Sequence, residues 1–141
     1  MRIPVTARFA VVLAALFGSI ACGATTTPTE PDPVYELKTS NFTGTIKTGG
    51  TVSFPFTVVN PGDISVSIAA LSPVSTLTMG VGLGSWDAAA EACTPQRTTN
   101  SATLNVVFSA SPSAAGEYCV GIFDVGNVQD SSDFELKVTY Y

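Results

Sequence analysis

Three cysteines, eleven carboxylates and six basic residues are the side chains here that could do chemistry, and histidine is absent. Without histidine there is no Ser-His-Asp triad, no Cys-His dyad and no HExxH zinc site. The remaining catalytic options are a carboxylate pair, or a serine served by a lysine or carboxylate base. Thiol chemistry finds no support, because Cys93 in "CTP" and Cys119 in "YCV" have no CxxC or metal-ligand spacing.

Five acids, Asp63, Glu117, Asp124, Asp130 and Asp133, fall in or beside expected turns. The segment "DVGNVQDSSD" could offer several oxygens to calcium, which takes roughly six to eight, but it lacks the EF-hand spacing. Turn capping is the simpler role for these aspartates, and no metal or other cofactor is expected. A hydrolase would require two of Asp63, Glu117, Asp124 and Asp130 to converge within ~5–10 Å in a cleft. Lys38, Lys47 and Lys137 each lie on the polar side of an expected strand, away from any such cleft. Trp86, Tyr140 and Tyr141 could form an aromatic platform, although scattered surface aromatics are the commoner arrangement.

The amino terminus has the order of a secretory signal. Arg2 and Arg8 supply positive charge, "FAVVLAALF" from Phe9 to Phe17 is apolar, and Gly18, Ser19, Ile20 and Ala21 lead to Cys22. The apolar run is shorter than the ~20 residues that span a bilayer. Residues 1–21 are therefore expected to be a signal peptide. Two processing routes fit "SIAC". It resembles a bacterial lipobox, with Ser19 where leucine is usual, which would place lipid on Cys22. Signal peptidase I could instead accept Ser19 and Ala21 and cut at the same bond. The following residues 22–34 form a Thr/Pro-rich tether with Pro28, Pro31 and Pro33, a composition that stays extended. Lipidation makes use of such a spacer, and Gly23 after the cysteine resembles outer-membrane-directed lipoproteins of Gram-negative bacteria.

With Cys22 lipidated, Cys93 and Cys119 are left as one pair for an oxidising compartment, and a disulfide between them is expected. Loss of Arg2 and Arg8 leaves four basic residues against eleven acids, a mature net charge of −7. That balance disfavours nucleic acid and anionic lipid as partners.

From residue 35 to 141 the pattern alternates with a period of two, and no helical periodicity is sustained. Strands are expected at "YELKT", "FTGTIK", "TVSFPFTVV", "ISVSIAAL", "TLTMGVGLG", "TLNVVFSA", "EYCVGIFDVG" and "FELKVTYY". Core-facing sets include Phe42/Gly44/Ile46, Val52/Phe54/Phe56/Val58, Ile64/Val66/Ile68, Leu104/Val106/Phe108 and Phe134/Leu136/Val138/Tyr140. Pro55 lacks a ladder donor and marks an edge or bulge. Gly80, Gly82 and Gly84 share one face, which suggests close backbone approach or strong twist. Ser85–Ala102 is expected to be a long loop, with "WDAAAEA" able to wind into a helical turn. About eight short strands separated by Gly/Pro/Asn/Asp turns predict an all-β domain, an antiparallel β-sandwich.

Phe42 and Gly44, then Gly50, Phe54 and Phe56, then Gly116, Tyr118 and Val120, then Phe134 and Val138 together resemble the bacterial pre-peptidase C-terminal (PPC-like) domain. The resemblance spans roughly residue 35 to the end. It implies a jelly-roll-like sandwich of the kind appended to secreted enzymes, some members binding collagen, polysaccharide or calcium. No peptidase accompanies the module in this sequence. The function expected from all these features is a non-catalytic, lipid-anchored envelope module presenting a β-sandwich to a polysaccharide or protein partner. A small secreted carboxylate-dependent hydrolase is the alternative, and a bacterial outer-membrane or secreted location fits both.

Mass spectrometry of the native protein should show a diacylglyceryl adduct on an amino-terminal Cys22. A soluble, unmodified chain starting at Cys22 or Thr25 would contradict lipidation.

Overall fold

The computed structural model describes residues 34–112 and 114–141. The expected signal peptide and all but the last residue of the tether, Cys22 included, lie outside the described residues. Eight strands follow in order: β1 (Lys38–Lys47), β2 (Thr51–Val58), β3 (Ile64–Ser72), β4 (Met79–Asp87), β5 (Ala92–Ala102), β6 (Val107–Ala110), β7 (Gly116–Phe123) and β8 (Ser131–Tyr140). They form two four-stranded antiparallel sheets, ordered β1-β8-β3-β6 and β2-β7-β4-β5. Successive strands therefore alternate between sheets until the β4–β5 hairpin, which is the jelly-roll order. The all-β sandwich expected from the sequence is the fold observed.

Alternation sets which side chains meet between the sheets. Ile46, Phe56, Val58, Ile64, Val66, Ile68, Val120, Ile122, Phe134, Leu136 and Val138 are all buried in one core. Phe42 stacks on Phe54 at 4.9 Å between ring centroids, and Phe54 meets Phe134 edge-on at 6.1 Å. These contacts join β1 and β8 of one sheet to β2 of the other, and offset or edge-on pairs add ~0.5–1.5 kcal/mol beyond their burial. Pro55 sits on β2, an edge strand as its missing donor required.

Three expectations are corrected by the structure. First, Tyr35 to Leu37 precede β1, so the first two expected strands are a single strand beginning at Lys38. Second, Ser85–Ala102 is no long loop: it holds the end of β4, a turn at residues 88–91 and the whole of β5. "WDAAAEA" makes that turn, with the Asp87 carboxylate accepting from the Ala89 and Ala90 N–H groups at 2.9 and 3.0 Å. The count of eight strands survives because one expected strand merges away as β5 is gained. Third, Val106 does not share a face with Leu104 and Phe108. Asn105 has φ +63°, a left-handed conformation that Asn tolerates, and its N–H donates to Ile68 O at 2.9 Å. The reversal turns Val106 outward, 53% exposed, while Leu104 and Phe108 pack on the core.

β5 escaped the alternation rule for a physical reason. Leu83 pairs with Arg97 but Gly84 with Pro95, leaving Gln96 as an extra residue; a second shift falls between Met79 and Val81. Each bulge reverses the parity of the residues beyond it and bends the strand. The bend carries the Cys93 end of β5 over the outer face of β4. A Cβ built on Gly84 would run into the backbone of Thr94, while Pro95 and Thr98 side chains lie over Gly82 and the Phe123 ring over Gly80. The glycine face is thus a trough into which β5 and Phe123 settle.

The same bend lets β5 bond to β7, although β4 lies between them. Cys93 and Cys119 form a disulfide with Cα atoms 5.7 Å apart, closer than the ~9–10 Å of two strand spacings. Cys119 points outward, opposite in parity to Tyr118 and Val120, yet it is fully buried because β5 covers it.

Closing a loop of 26 residues implies about 3 kcal/mol from chain entropy, so Cys93→Ala should lower stability by ~2–5 kcal/mol in urea denaturation. Gly84→Ala should cost ~1–3 kcal/mol, because it meets rigid backbone. Gly82→Ala should cost less, since its nearest neighbours are side-chain atoms at 3.3 and 3.4 Å.

Candidate functional site

Of the carboxylates that could have formed a catalytic pair, Asp63, Glu117 and Asp124 are each engaged by a separate structural partner. Asp124, just beyond β7, is the most heavily engaged. Its Oδ1 accepts from the N–H groups of Gly126, Asn127 and Val128 at 2.8, 2.8 and 3.0 Å, and its Oδ2 from Gly49 N–H at 2.9 Å. These four donors, Gly49 first among them, hold its pKa down at about 2. Asp124 therefore joins the β1–β2 turn to the β7–β8 connection, which is the turn-capping role expected of it. Glu117, on the outer side of β7, accepts from Thr57 Oγ1 at 2.7 Å across the β2–β7 pair. Asp133 accepts from Thr45 Oγ1 at 2.5 Å across β1 and β8. Asp63 accepts from Ser111 Oγ at 2.5 Å, tying the start of β3 to the end of β6.

Glu117 lies near the start of β7, Asp63 in the β2–β3 connection, and Asp124 and Asp130 at the two ends of the β7–β8 connection. Among the described residues no cluster of three acids or cysteines is placed to hold a metal ion. Asp130 lines a pocket of about 350 Å³ with Pro73, Val74, Leu77 and Asn127, where it is the only carboxylate. The aromatic trio does not make a platform either. Tyr140 is buried, 5.0 Å from the Phe56 ring, with its hydroxyl hydrogen-bonded to Ser40 Oγ at 2.9 Å. Tyr141 lies over Gly62, and Trp86 belongs to the other sheet.

Among the described residues one concave site, lined by Asp133 and Glu135 beside Gly44, lies on the β1-β8-β3-β6 sheet, and another is the end of the space between the sheets, on the flank where edge strands β5 and β6 face each other. Ile64 and Ala110 line it from one sheet, and Leu83, Gly84 and Tyr118 from the other. Its volume is about 260 Å³. Ala110 fills little of that space, contributing only a methyl group. Arg97 pairs with the inward-facing Leu83, so its side chain leaves β5 on the inner side at the sheet edge. From there the guanidinium carbon stands 5.7 Å from the centroid of Phe108 on β6, spanning the gap between sheets. An exposed contact of this kind contributes ~0.5–1 kcal/mol.

Hydrogen bonding gives the pocket a definite polarity. Ser111 donates its proton to Asp63, and Tyr118 O–H donates to Ala114 O at 2.8 Å. With both hydroxyl protons engaged, the donors facing a ligand are the Arg97 guanidinium and the Gln96 amide. Arg97 falls within the Ser85–Ala102 segment that the sequence pattern marks as a loop. The glycine trio of β4 was the available signal, since a face of bare backbone needs something to lie on it.

No family model matches the sequence, and no curated protein matches it. Among solved structures the fold is similar to that of the Yersinia pseudotuberculosis-derived mitogen (YPM), with a TM-score of 0.52 and 14% identity over 74% of this chain and 86% of that one. The Aeromonas hydrophila protein PliG, a periplasmic lysozyme inhibitor of g-type lysozyme, aligns with a TM-score of 0.45 and 8% identity over 72% of this chain and 84% of that one. The likeness to the mitogen is one of fold.

The depressed pKa of Asp124 has a consequence for stability. Its folded value of about 2 lies below the ordinary 3.8, so its contribution is present above pH ~4 and is lost as pH falls toward 2. Asp124→Asn keeps one acceptor oxygen but turns an amide toward Gly49 N–H. The variant should melt at a lower temperature than the parent at pH 7, with the gap closing between pH 4 and pH 2. A gap of constant size across that range would show that the carboxylate charge is not what the turn uses.

Proposed function

We propose that this chain is a non-catalytic binding module of the bacterial cell envelope. In this reading lipid on Cys22 holds it at a membrane, and the Thr/Pro tether lifts the jelly roll toward a polysaccharide or protein partner. The observation that carries the reading is the engagement of Asp63, Glu117 and Asp124 by separate hydroxyl and N–H donors. Acid–base work needs a carboxylate brought toward neutral pKa by burial or by a like charge, and Asp124 is shifted in the opposite direction.

The Cys93–Cys119 bond supports an oxidising compartment beyond the cytoplasm, where a small domain benefits from a covalent cross-link. The PPC-like resemblance belongs to the same proposal. Phe42 and Gly44 lie on β1, Phe54 and Phe56 on β2, Gly116, Tyr118 and Val120 on β7, and Phe134 and Val138 on β8. Those strands carry the stacked phenylalanines, and β7 lends Tyr118 to the pocket.

Purified protein should be presented to arrays of envelope glycans and envelope proteins, and any ligand recovered and checked for cleavage. Saturable binding with intact ligand is expected, unchanged in Asp130→Asn and Glu117→Gln. Turnover of a bound glycan that either substitution abolishes would establish the hydrolase instead.

A further inference from the structure

We infer that the pocket between β5 and β6 is a receptor for a carboxylate carried on an apolar stem, with Arg97 as the residue that recognises the charge. The inference rests on reading the chain as a binding module and specifies the ligand chemistry of one site on it.

The wall chemistry divides cleanly. Ile64, Leu83, Ala110 and Pro112 offer apolar surface, while Arg97 and Gln96 offer N–H donors at the mouth. Arg97 is the sole arginine among the described residues, in a chain whose acids outnumber its bases. Its guanidinium carbon stands 5.7 Å from the Phe108 ring centroid, a cation–π contact that consumes none of its five N–H groups. Among the described residues no hydrogen bond engages those donors. A guanidinium with unengaged donors presents a fork that a carboxylate matches with two parallel bonds.

Size and hydrogen-bond polarity narrow the ligand further. A pocket of about 260 Å³ lies below the ~300–1,000 Å³ of sites for drug-sized molecules, and so suits a group the size of one amino-acid side chain. A polyhydroxylated sugar acid would need several polar partners, but Ser111 and Tyr118 have already given their protons to Asp63 and Ala114. An apolar stem needs none. Gln96, Arg97 and Ser111 are exposed, leaving the mouth open for a ligand that continues outward. The same chemistry could be supplied by a free organic acid or by a protein chain ending in an apolar residue with its terminal carboxylate.

The test is an NMR titration of the intact, oxidised protein with three probes: 3-phenylpropanoate, its neutral amide, and the peptide N-acetyl-Ala-Ala-Phe with a free carboxyl end. Saturable shifts centred on Gln96, Arg97 and Tyr118 are expected with both carboxylates. The amide should bind about ten-fold more weakly, the scale of a charge-assisted hydrogen bond. Tighter binding of the peptide would identify a chain end as the source, and tighter binding of 3-phenylpropanoate a free acid. Arg97→Gln should reduce carboxylate binding to the level of the amide, and Arg97→Lys should restore part of it. Equal binding of acid and amide to the parent protein, or no shift at these residues, would overturn the inference, and the parent comparison decides this whatever the stability of the variants. Failure here, with an envelope ligand still bound elsewhere on the sandwich, would leave the binding-module reading standing.

Discussion

The passage of β5 over the glycine face of β4 is the constraint on which the rest of this structure depends. Two bulges bend β5, the absence of a side chain at Gly84 lets the Thr94 backbone come down onto β4, and the Cys93–Cys119 bond fixes the arrangement across to β7. Chain entropy makes the cross-link worth about as much as one or two well-buried aliphatic side chains, a substantial share of the stability of a small domain. The bend also places Arg97 at the inner edge of its sheet, above Phe108, and leaves Gln96 as the extra residue beside it. Covalent constraint, strand irregularity and pocket chemistry are thus consequences of one packing event.

The two ends of the sandwich are built differently. Where β7 ends, Asp124 gathers backbone donors from its own connection and from the β1–β2 turn, locking two loops together through a carboxylate that stays ionised across the physiological range. Where β7 begins, the facing edge strands are bridged by Arg97 over Phe108 and the space behind them is unfilled. A charge satisfied by four N–H groups has little left to offer a ligand; a guanidinium with no hydrogen bond among the described residues has its donors available. The difference in hydrogen-bond satisfaction, more than any difference in exposure, separates the structural end of the molecule from the end suited to recognition.

Much of the fold was legible because period-two alternation is a direct record of a half-buried strand. Phe54, Phe56 and Val58 on β2, Ile64, Val66 and Ile68 on β3, and Phe134, Leu136 and Val138 on β8 all face the core as their spacing requires. The disulfide was legible by cysteine count and by the outward parity of Cys119. β5 was hidden, because bulges break parity and an exposed edge strand such as "ACTPQRTTNSA" has almost no apolar residue to alternate. Val106 was misplaced because a left-handed Asn105 rotates the chain within an otherwise regular pattern. The pocket was unreadable for a deeper reason. Its walls come from Ile64, Leu83, Arg97, Ala110 and Tyr118, which lie on five different strands and meet only through jelly-roll topology.

The central claim is that the cross-linked bend of β5 maintains both the β4–β5 packing and the Arg97 pocket. Native-state hydrogen exchange, compared before and after selective reduction of Cys93–Cys119, tests it most directly. The account predicts that the amides of β5 and of Gly82 and Gly84 lose protection on reduction, while those of β3 and β8 keep most of theirs. Unchanged protection in β5, or a uniform loss across both sheets, would contradict it.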